Sequence, residues 1–241
     1  MDRNNQNKTE RDKYEEMFIS KSVLSAEIGI GIPFKEFGLK DLNNDRSGYA
    51  INGFSYSFSF RYAFYPSLGM TLKYFNTTNA IDVQRLQSDL NQAYSPYSVI
   101  YSADPYILNG FMIGPTYITS SSNWSLETSI CAGYLYGVLP QNSLHYTPPV
   151  PVYQWKFTDE TTSSSSAINY GMSLDLAVKY KLSQSFVLSA SADVMICDLT
   201  FRNISKTFTD TAGNVYSGNL DSYLQPFRLI HLRAGIGYQF R

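Results

Sequence analysis

The chain has 241 residues and a formal net charge of −1, from 19 basic and 20 acidic side chains. Without a basic excess to neutralise phosphates, it is not a dedicated nucleic-acid binder. Aromatic residues make up 15% of the chain and there are two cysteines, a composition that excludes a disordered chain and a disulfide scaffold.

The chain begins with a charged tail at residues 1–20. Nine of its first sixteen residues are charged, so it contains no apolar signal-peptide region. We therefore expect either a cytosolic chain or a mature form whose export signal has been removed. Tyr14, Met17 and Phe18 stand at helical spacing. The alternatives for this tail are a short helix that rests on the barrel mouth or on a neighbour, and a frayed end.

From Ser22 onward, apolar side chains recur at every second position, which is the period of a β-strand. Phe54, Tyr56 and Phe58, for example, alternate with Ser55 and Ser57. No apolar run approaches the ~18 residues that a membrane-spanning helix needs. Eight strands are predicted, at about 23–32, 50–65, 68–74, 106–119, 124–138, 168–180, 186–197 and 230–240.

The connections between these strands alternate in length. Short turns are predicted at 65–67, 120–122 and 182–184. Long loops are predicted at about 34–48, 76–105, 140–166 and 202–225. An even number of strands with short turns at one end and long loops at the other is typical of an outer-membrane β-barrel, whose turns face the periplasm and whose loops face the outside.

The volume of the side chains decides which face of each strand points inward. An eight-stranded barrel has an interior just wide enough for side chains to fill, and the apolar set contains far more large residues than that. The large residues are therefore predicted to face lipid and the small and polar ones to face the lumen. We expect the charges of the lumen to pair with one another and close it, with a proton or ion path as the alternative. This lumen network comprises Glu27, Arg61, Lys73, Glu127, Asp175, Lys179, Asp193, His231 and Arg233.

The end of the chain carries a polar residue, a glycine two positions later and two aromatic residues spaced by one. These residues are Arg233, Gly235, Tyr238 and Phe240. The pattern resembles the terminal assembly signal of bacterial outer-membrane barrels, although Arg241 follows where the common signal ends. Over about residues 21–241 the chain resembles the small OmpA-transmembrane, OmpX and OmpW-like barrels. The resemblance implies insertion by the barrel-assembly machinery and termini in the periplasm.

The sequence offers few groups for catalysis or metal binding. His145 lies in the third long loop and His231 on the last strand. Arg233 follows His231 where outer-membrane lipid A deacylases carry a serine, so a lipid-modifying enzyme would need a serine or aspartate within reach of either ring. Cys131 and Cys197 are predicted on strands separated by a third strand, too far apart for a disulfide. No cluster has metal-ligand spacing, and we expect no enzyme, cofactor or metal.

Three small lipid-facing residues on adjacent strands form a smooth patch among bulky neighbours. They are Ala190, Ala192 and Ala234. Small residues in membrane proteins permit the close approach of a partner. The patch is therefore a candidate contact with a larger outer-membrane complex, and ordinary lipid contact is the alternative.

The sequence thus predicts two parts, the periplasmic tail at 1–20 and an all-β, eight-stranded antiparallel up-and-down transmembrane barrel at 21–241. The barrel is expected in the bacterial outer membrane, in contact with its lipid and lipopolysaccharide. The predicted function is a structural or accessory barrel whose long loops contact a partner protein or a surface ligand. The alternative, which resemblance to OmpW-like proteins allows, is a narrow conduit for small or apolar solutes.

Overall fold

The computed structural model of the protein describes residues 21–147 and 157–240. The predicted tail at 1–20 lies outside the described residues. Two helices are present in the described ranges, α1 (Lys35–Gly38) and α2 (Val83–Ala93). The strands are, in chain order, β1 (Ser22–Pro33), β2 (Gly53–Tyr65), β3 (Leu68–Asn79), β4 (Ser98–Ala103), β5 (Tyr106–Ser120), β6 (Trp124–Leu139), β7 (Asn142–Thr147), β8 (Phe157–Thr162), β9 (Ser165–Lys181), β10 (Phe186–Asp210) and β11 (Val215–Phe240).

Eight of these strands close into an antiparallel ring in the order β1-β2-β3-β5-β6-β9-β10-β11. The ring closes where β11 pairs with β1, from Ser22 opposite Phe240 to Pro33 opposite Leu229. The predicted eight-stranded antiparallel barrel is therefore confirmed. Because a closed ring has no free edge, its backbone groups find their hydrogen bonds within the protein, as a bilayer requires.

The outer wall of the ring is apolar. Phe58, Leu174 and Ile236, which stand on three different strands, are 51%, 54% and 50% exposed. A continuous apolar surface of this extent is tolerable only in contact with lipid, so the large side chains face outward as predicted. Within the described residues, no helix is long and apolar enough to cross a bilayer.

Two aromatic pairs stand near the two ends of this apolar wall on the neighbouring strands β6 and β9. Trp124 and Tyr180 pack at the periplasmic end, with ring centroids 4.6 Å apart. Tyr134 and Tyr170 pack nearer the other end, and their hydroxyl oxygens lie 2.8 Å apart. On each strand the two rings stand ten positions apart. At about 3.3 Å per residue and a tilt of about 40°, this spacing corresponds to ~25 Å along the barrel axis, the height of a membrane-embedded apolar band.

The outer half of the lumen differs from the prediction of small and polar residues. Large apolar side chains fill it, and we call this group the apolar plug. Its members are Phe75, Leu108, Met112, Leu135, Met195, Leu199, Phe227 and Leu229. The pattern concealed them because their outward neighbours are also apolar: Met195 stands between Val194 and Ile196, so alternation disappears there.

The fourth predicted long loop, 202–225, is mostly a hairpin, because β10 and β11 remain paired as far as Thr209 and Val215. The second and third predicted loops also contain structure, namely α2 with β4, and β7 with β8. Together these strands form what we call the extracellular sheet, in the order β11-β10-β8-β7-β4. At Asn203 the backbone adopts a positive φ of 57°, and the inward positions change from odd to even, since Phe201 and Ile204 are both buried.

The edge of the extracellular sheet is covered by a helix. The backbone N–H groups of Val99 and Tyr101 on β4 donate to Asn91 Oδ1 at 2.5 Å and to Gln87 Oε1 at 3.3 Å. Both acceptors are side chains of α2, one helical turn apart. They satisfy donors that an edge strand otherwise presents to another chain.

Replacing Gln87 and Asn91 together by alanine is expected to speed amide hydrogen exchange in β4 by at least about tenfold. Each lost hydrogen bond weakens the strand by about 1 kcal/mol. The measurement is hydrogen exchange followed by mass spectrometry, with exposed Gln92→Ala on the same helix as the control. Equal exchange rates in the double variant and the control would contradict the covering role of α2.

Candidate binding site

All nine residues predicted for the lumen network lie inside the barrel, on the periplasmic side of the apolar plug. One group centres on Glu127, whose carboxylate accepts from Lys179 Nζ at 2.7 Å and from Arg61 Nε at 3.2 Å. The three side chains are at most 5% exposed. Two bases around one acid give this group an excess of one positive charge.

A second group centres on Asp193. Arg233 Nη1 lies 2.5 Å and His231 Nδ1 2.8 Å from its carboxylate oxygens. Lys73 Nζ lies 3.6 Å from the same carboxylate and also pairs with Asp175. Each acid in this group therefore meets at least one base, as buried charges require.

Glu27 completes the network with a different set of partners. Its carboxylate accepts hydrogen bonds from the hydroxyls of Ser191 at 2.6 Å, of Ser57 at 3.4 Å and of Ser189. With Glu27 the network contains four acids and four bases. The cavity enclosed among these groups is only about 40 Å³, room for about one water molecule.

Each histidine contacts an aspartate: His231 pairs with a member of the predicted lumen network, whereas the partner of His145 was not predicted. His145 Nδ1 lies 2.7 Å from Asp159 Oδ1 on the extracellular sheet, and this hydrogen bond lowers the pKa of the Asp159 carboxyl. His231, paired with Asp193, is fully buried and its Nε2 has no hydrogen-bond partner. A triad would need a nucleophile at that nitrogen and a path for substrate, and within the described ranges the ring has neither.

The two cysteines and the possible metal ligands do not come together within the described residues. Cys131 and Cys197 are free thiols buried in the wall of the lumen. In residues 21–147 and 157–240, no group of three or more histidine, cysteine, aspartate or glutamate side chains is placed to hold a metal ion.

A pocket that we call the cup opens above the apolar plug, between the extracellular sheet, α2 and the first long loop. Its volume is about 310 Å³. Phenol and aliphatic side chains cover most of its surface, and the Lys206–Glu160 ion pair at 2.7 Å stands on one wall. The pKa of the Tyr101 phenol in its lining is raised by burial and by the neighbouring phenol of Tyr223. The cup therefore combines an apolar body with a few polar groups, as ligand pockets do.

Helix α1 seals the barrel beneath the cup. Its Phe37 is 1% exposed and packs against Phe227 of the plug at 4.7 Å and against Tyr106 at 5.1 Å, measured between ring centroids. Gly48 lies directly over this ring, where a Cβ atom would come within 2.5 Å of the Phe37 carbonyl oxygen. Tyr49 then donates its hydroxyl to Asp89 of α2 at 2.9 Å, which joins the loop to the helix.

The terminal motif divides between the two faces of β11. Tyr238 and Phe240 point outward with ring centroids 5.0 Å apart. Arg233 points into the lumen, and a Cβ atom at Gly235 would lie 2.0 Å from the Ala26 carbonyl oxygen of β1. Only glycine therefore fits there. The assembly role of these residues stays a prediction.

The predicted alanine patch lies on the outer wall. Ala190 and Ala234 face each other across β10 and β11 and are exposed, while Ala192 is half-buried. The first two line an apolar groove of about 1050 Å³, together with Phe58 and Trp124. Its role as a partner contact stays a prediction.

No protein-family model and no curated protein sequence matches the chain. Among solved structures it is similar to Ail, the attachment invasion locus protein of Yersinia pestis, at 15% identity and a TM-score of 0.44 over 91% of this chain and 99% of that one. It is also similar to Neisserial surface protein A (14%, TM-score 0.45, 92% and 98%). A third is OprG from Pseudomonas aeruginosa (13%, TM-score 0.44, 92% and 96%).

These identities and TM-scores are low, so the assignment rests on the chain's own geometry. A closed antiparallel ring, an apolar outer wall of membrane height and a charged, filled interior are the features of outer-membrane barrels. The protein is an outer-membrane β-barrel. Its outer wall contacts membrane lipid.

Replacing Asp193 by asparagine is expected to lower the free energy of unfolding by about 3–5 kcal/mol, because Arg233, His231 and Lys73 lose their shared counter-charge in a buried site. The measurement is urea unfolding in detergent, followed by tryptophan fluorescence. The matched control is Asp198→Asn, also on β10, which removes an outward partner of Arg228 at 2.7 Å and should cost under about 1 kcal/mol. Equal losses in the two variants would contradict the network.

Proposed function

We propose that this barrel is a non-enzymatic, non-conducting accessory protein of the outer membrane that binds a partner protein or surface ligand on its extracellular side. One observation carries the proposal: the lumen is closed at two levels, while the strands beyond the membrane build a sheet and a cup. The protein therefore combines a closed barrel in the membrane, which we call the sealed anchor, with an exposed surface for binding.

The two closures are independent of each other. The lower one is electrostatic and depends on groups such as Glu127 with Lys179. The upper one is steric and depends on the apolar plug, with Phe37 above it. A conduit, the alternative function, would require both to open, and the ion pairs of the lower closure would then lose partners in a narrow, poorly hydrated space.

The extracellular side supports a binding role. The cup lies at the small end of the range of about 300–1,000 Å³ typical of ligand pockets. One wall is the extracellular sheet, which extends from β10 of the ring, and the loop on the other side is tied to α2 by the Tyr49–Asp89 hydrogen bond. Binding sites are commonly built this way, on segments positioned by a rigid scaffold.

Planar-bilayer recordings test the sealed anchor. The wild-type protein is expected to give no steady conductance step under conditions in which a general porin does. Replacing Phe37, Phe75 and Phe227 by alanine opens the upper closure alone, and Glu127→Ala with Lys179→Ala opens the lower one alone. Each set should still give no step, and only the combined variant should conduct.

Heat-modifiable migration on a gel checks that each variant is folded before it is recorded. Steady, discrete steps from the wild-type protein would contradict the proposed function and favour the conduit. If the folded combined variant gives no conductance step, the assignment of the two closures is contradicted.

A further inference from the structure

The extracellular sheet has two faces with different chemistry. The inner face lines the cup, with Tyr101, Leu144, Glu160 and Lys206 on four of its strands. The outer face looks away from the barrel axis, over the surrounding membrane surface. On that face each of the five strands places one hydroxyl in the same row, in register: Ser102, Ser143, Thr161, Thr207 and Ser217.

A second row of polar groups lies beside the first, nearer the membrane, and its one charged member is Asp104, opposite Gln141 at the β4 end. Ser163 and Ser205 are joined by backbone hydrogen bonding, and the Ser205 hydroxyl lies 3.4 Å from Asn219 Oδ1. Gln141 continues the row on the other side. Neither row contains lysine or arginine. At ~4.8 Å between strands, the two rows form a grid of hydrogen-bond donors and acceptors.

A polar crevice of about 290 Å³ lies at the β4–β7 end of the grid. Ser102 and Ser143 meet in it with their hydroxyl oxygens 2.7 Å apart. The exposed carboxylate of Asp104 and the amides of Gln141 and Asn142 complete its lining. The crevice is held in shape because the Asp104 backbone N–H donates to the Gln141 carbonyl at 2.9 Å.

We propose that this hydroxyl face binds an uncharged saccharide chain, that of the lipopolysaccharide in the surrounding outer leaflet. The crevice takes one sugar ring, and the rows take the units that follow. Hydroxyl and amide groups both donate and accept hydrogen bonds, as sugar hydroxyls do. The face points toward the layer into which outer-leaflet glycolipids extend their sugars.

The same chemistry disfavours other occupants. An anionic chain would find no basic side chain in either row. A protein partner would find no tryptophan, tyrosine or arginine anchor there, and these residues dominate protein interfaces. The exposed apolar side chains of the adjoining row, Ile100 and Val215, stand at opposite ends of the sheet, too far apart for an interface core.

Cysteine accessibility tests this inference on the full chain in nanodiscs. Thr207→Cys places a thiol at the middle of the first row. The rate at which this thiol reacts with a maleimide-polyethylene glycol falls when a bound chain covers the row. Lipopolysaccharide from the protein's own bacterium is expected to slow labelling at least fivefold relative to the same lipid stripped to lipid A and inner core. The sugar chain released from it, added in solution to phospholipid nanodiscs, should also slow labelling.

Two further substitutions in the Thr207→Cys background separate recognition from simple crowding by the sugar layer. Asp104→Asn with Ser143→Ala should restore fast labelling, while Asp45→Asn with Asn43→Ala, at exposed positions of the first long loop, should not. Unchanged labelling with both sugar preparations, protection by the stripped lipid alone, or equal protection in both double variants would each overturn the proposal.

The inference rests on the proposed surface-binding role, but the two fail separately. Steady conductance of the wild-type protein would contradict the sealed anchor and leave sugar protection unaffected. If the barrel gives no conductance step and the sugar preparations do not slow labelling of the thiol, only the proposed ligand class is overturned.

Discussion

The narrowness of an eight-stranded ring is the constraint on which the rest of this structure depends. Its interior admits only one layer of side chains, so large residues such as Phe58 and Ile236 face outward and require lipid. The same narrowness forces the charges left inside to meet: Glu127 contacts two bases and Asp193 contacts three. Membrane residence and a closed lumen are therefore two results of one geometry.

Much of this architecture was predictable from the sequence, because strict alternation reveals strands and the volume of the alternating residues reveals their orientation. The ion-pair partners were not predictable, since Lys73 and Asp175 are about a hundred residues apart in the chain. The apolar plug was missed where both faces of a strand are apolar, as around Met195. The extracellular sheet was missed because its added strands are short and because Asn203 reverses the alternation within β10.

The division of the lumen gives its two halves different physical roles. On the periplasmic side, paired charges fill the space and tie distant strands together, so their loss weakens the fold. On the outer side, packed apolar groups exclude water and support Phe37 and, above it, the cup. The extracellular sheet and the cup thus stand on a dry, close-packed base rather than on a hydrated pore. Their shape therefore does not depend on ion movement through the barrel.

The amides of α2 that cover β4 have a consequence beyond the single molecule. Barrels of this kind stand side by side in a crowded membrane, all with the same orientation and at the same height. An open strand above the bilayer would let each copy extend the sheet of the next, and the chains would polymerise laterally. With Asn91 and Gln87 occupying those donors, neighbouring copies can collide repeatedly and still separate as individual molecules.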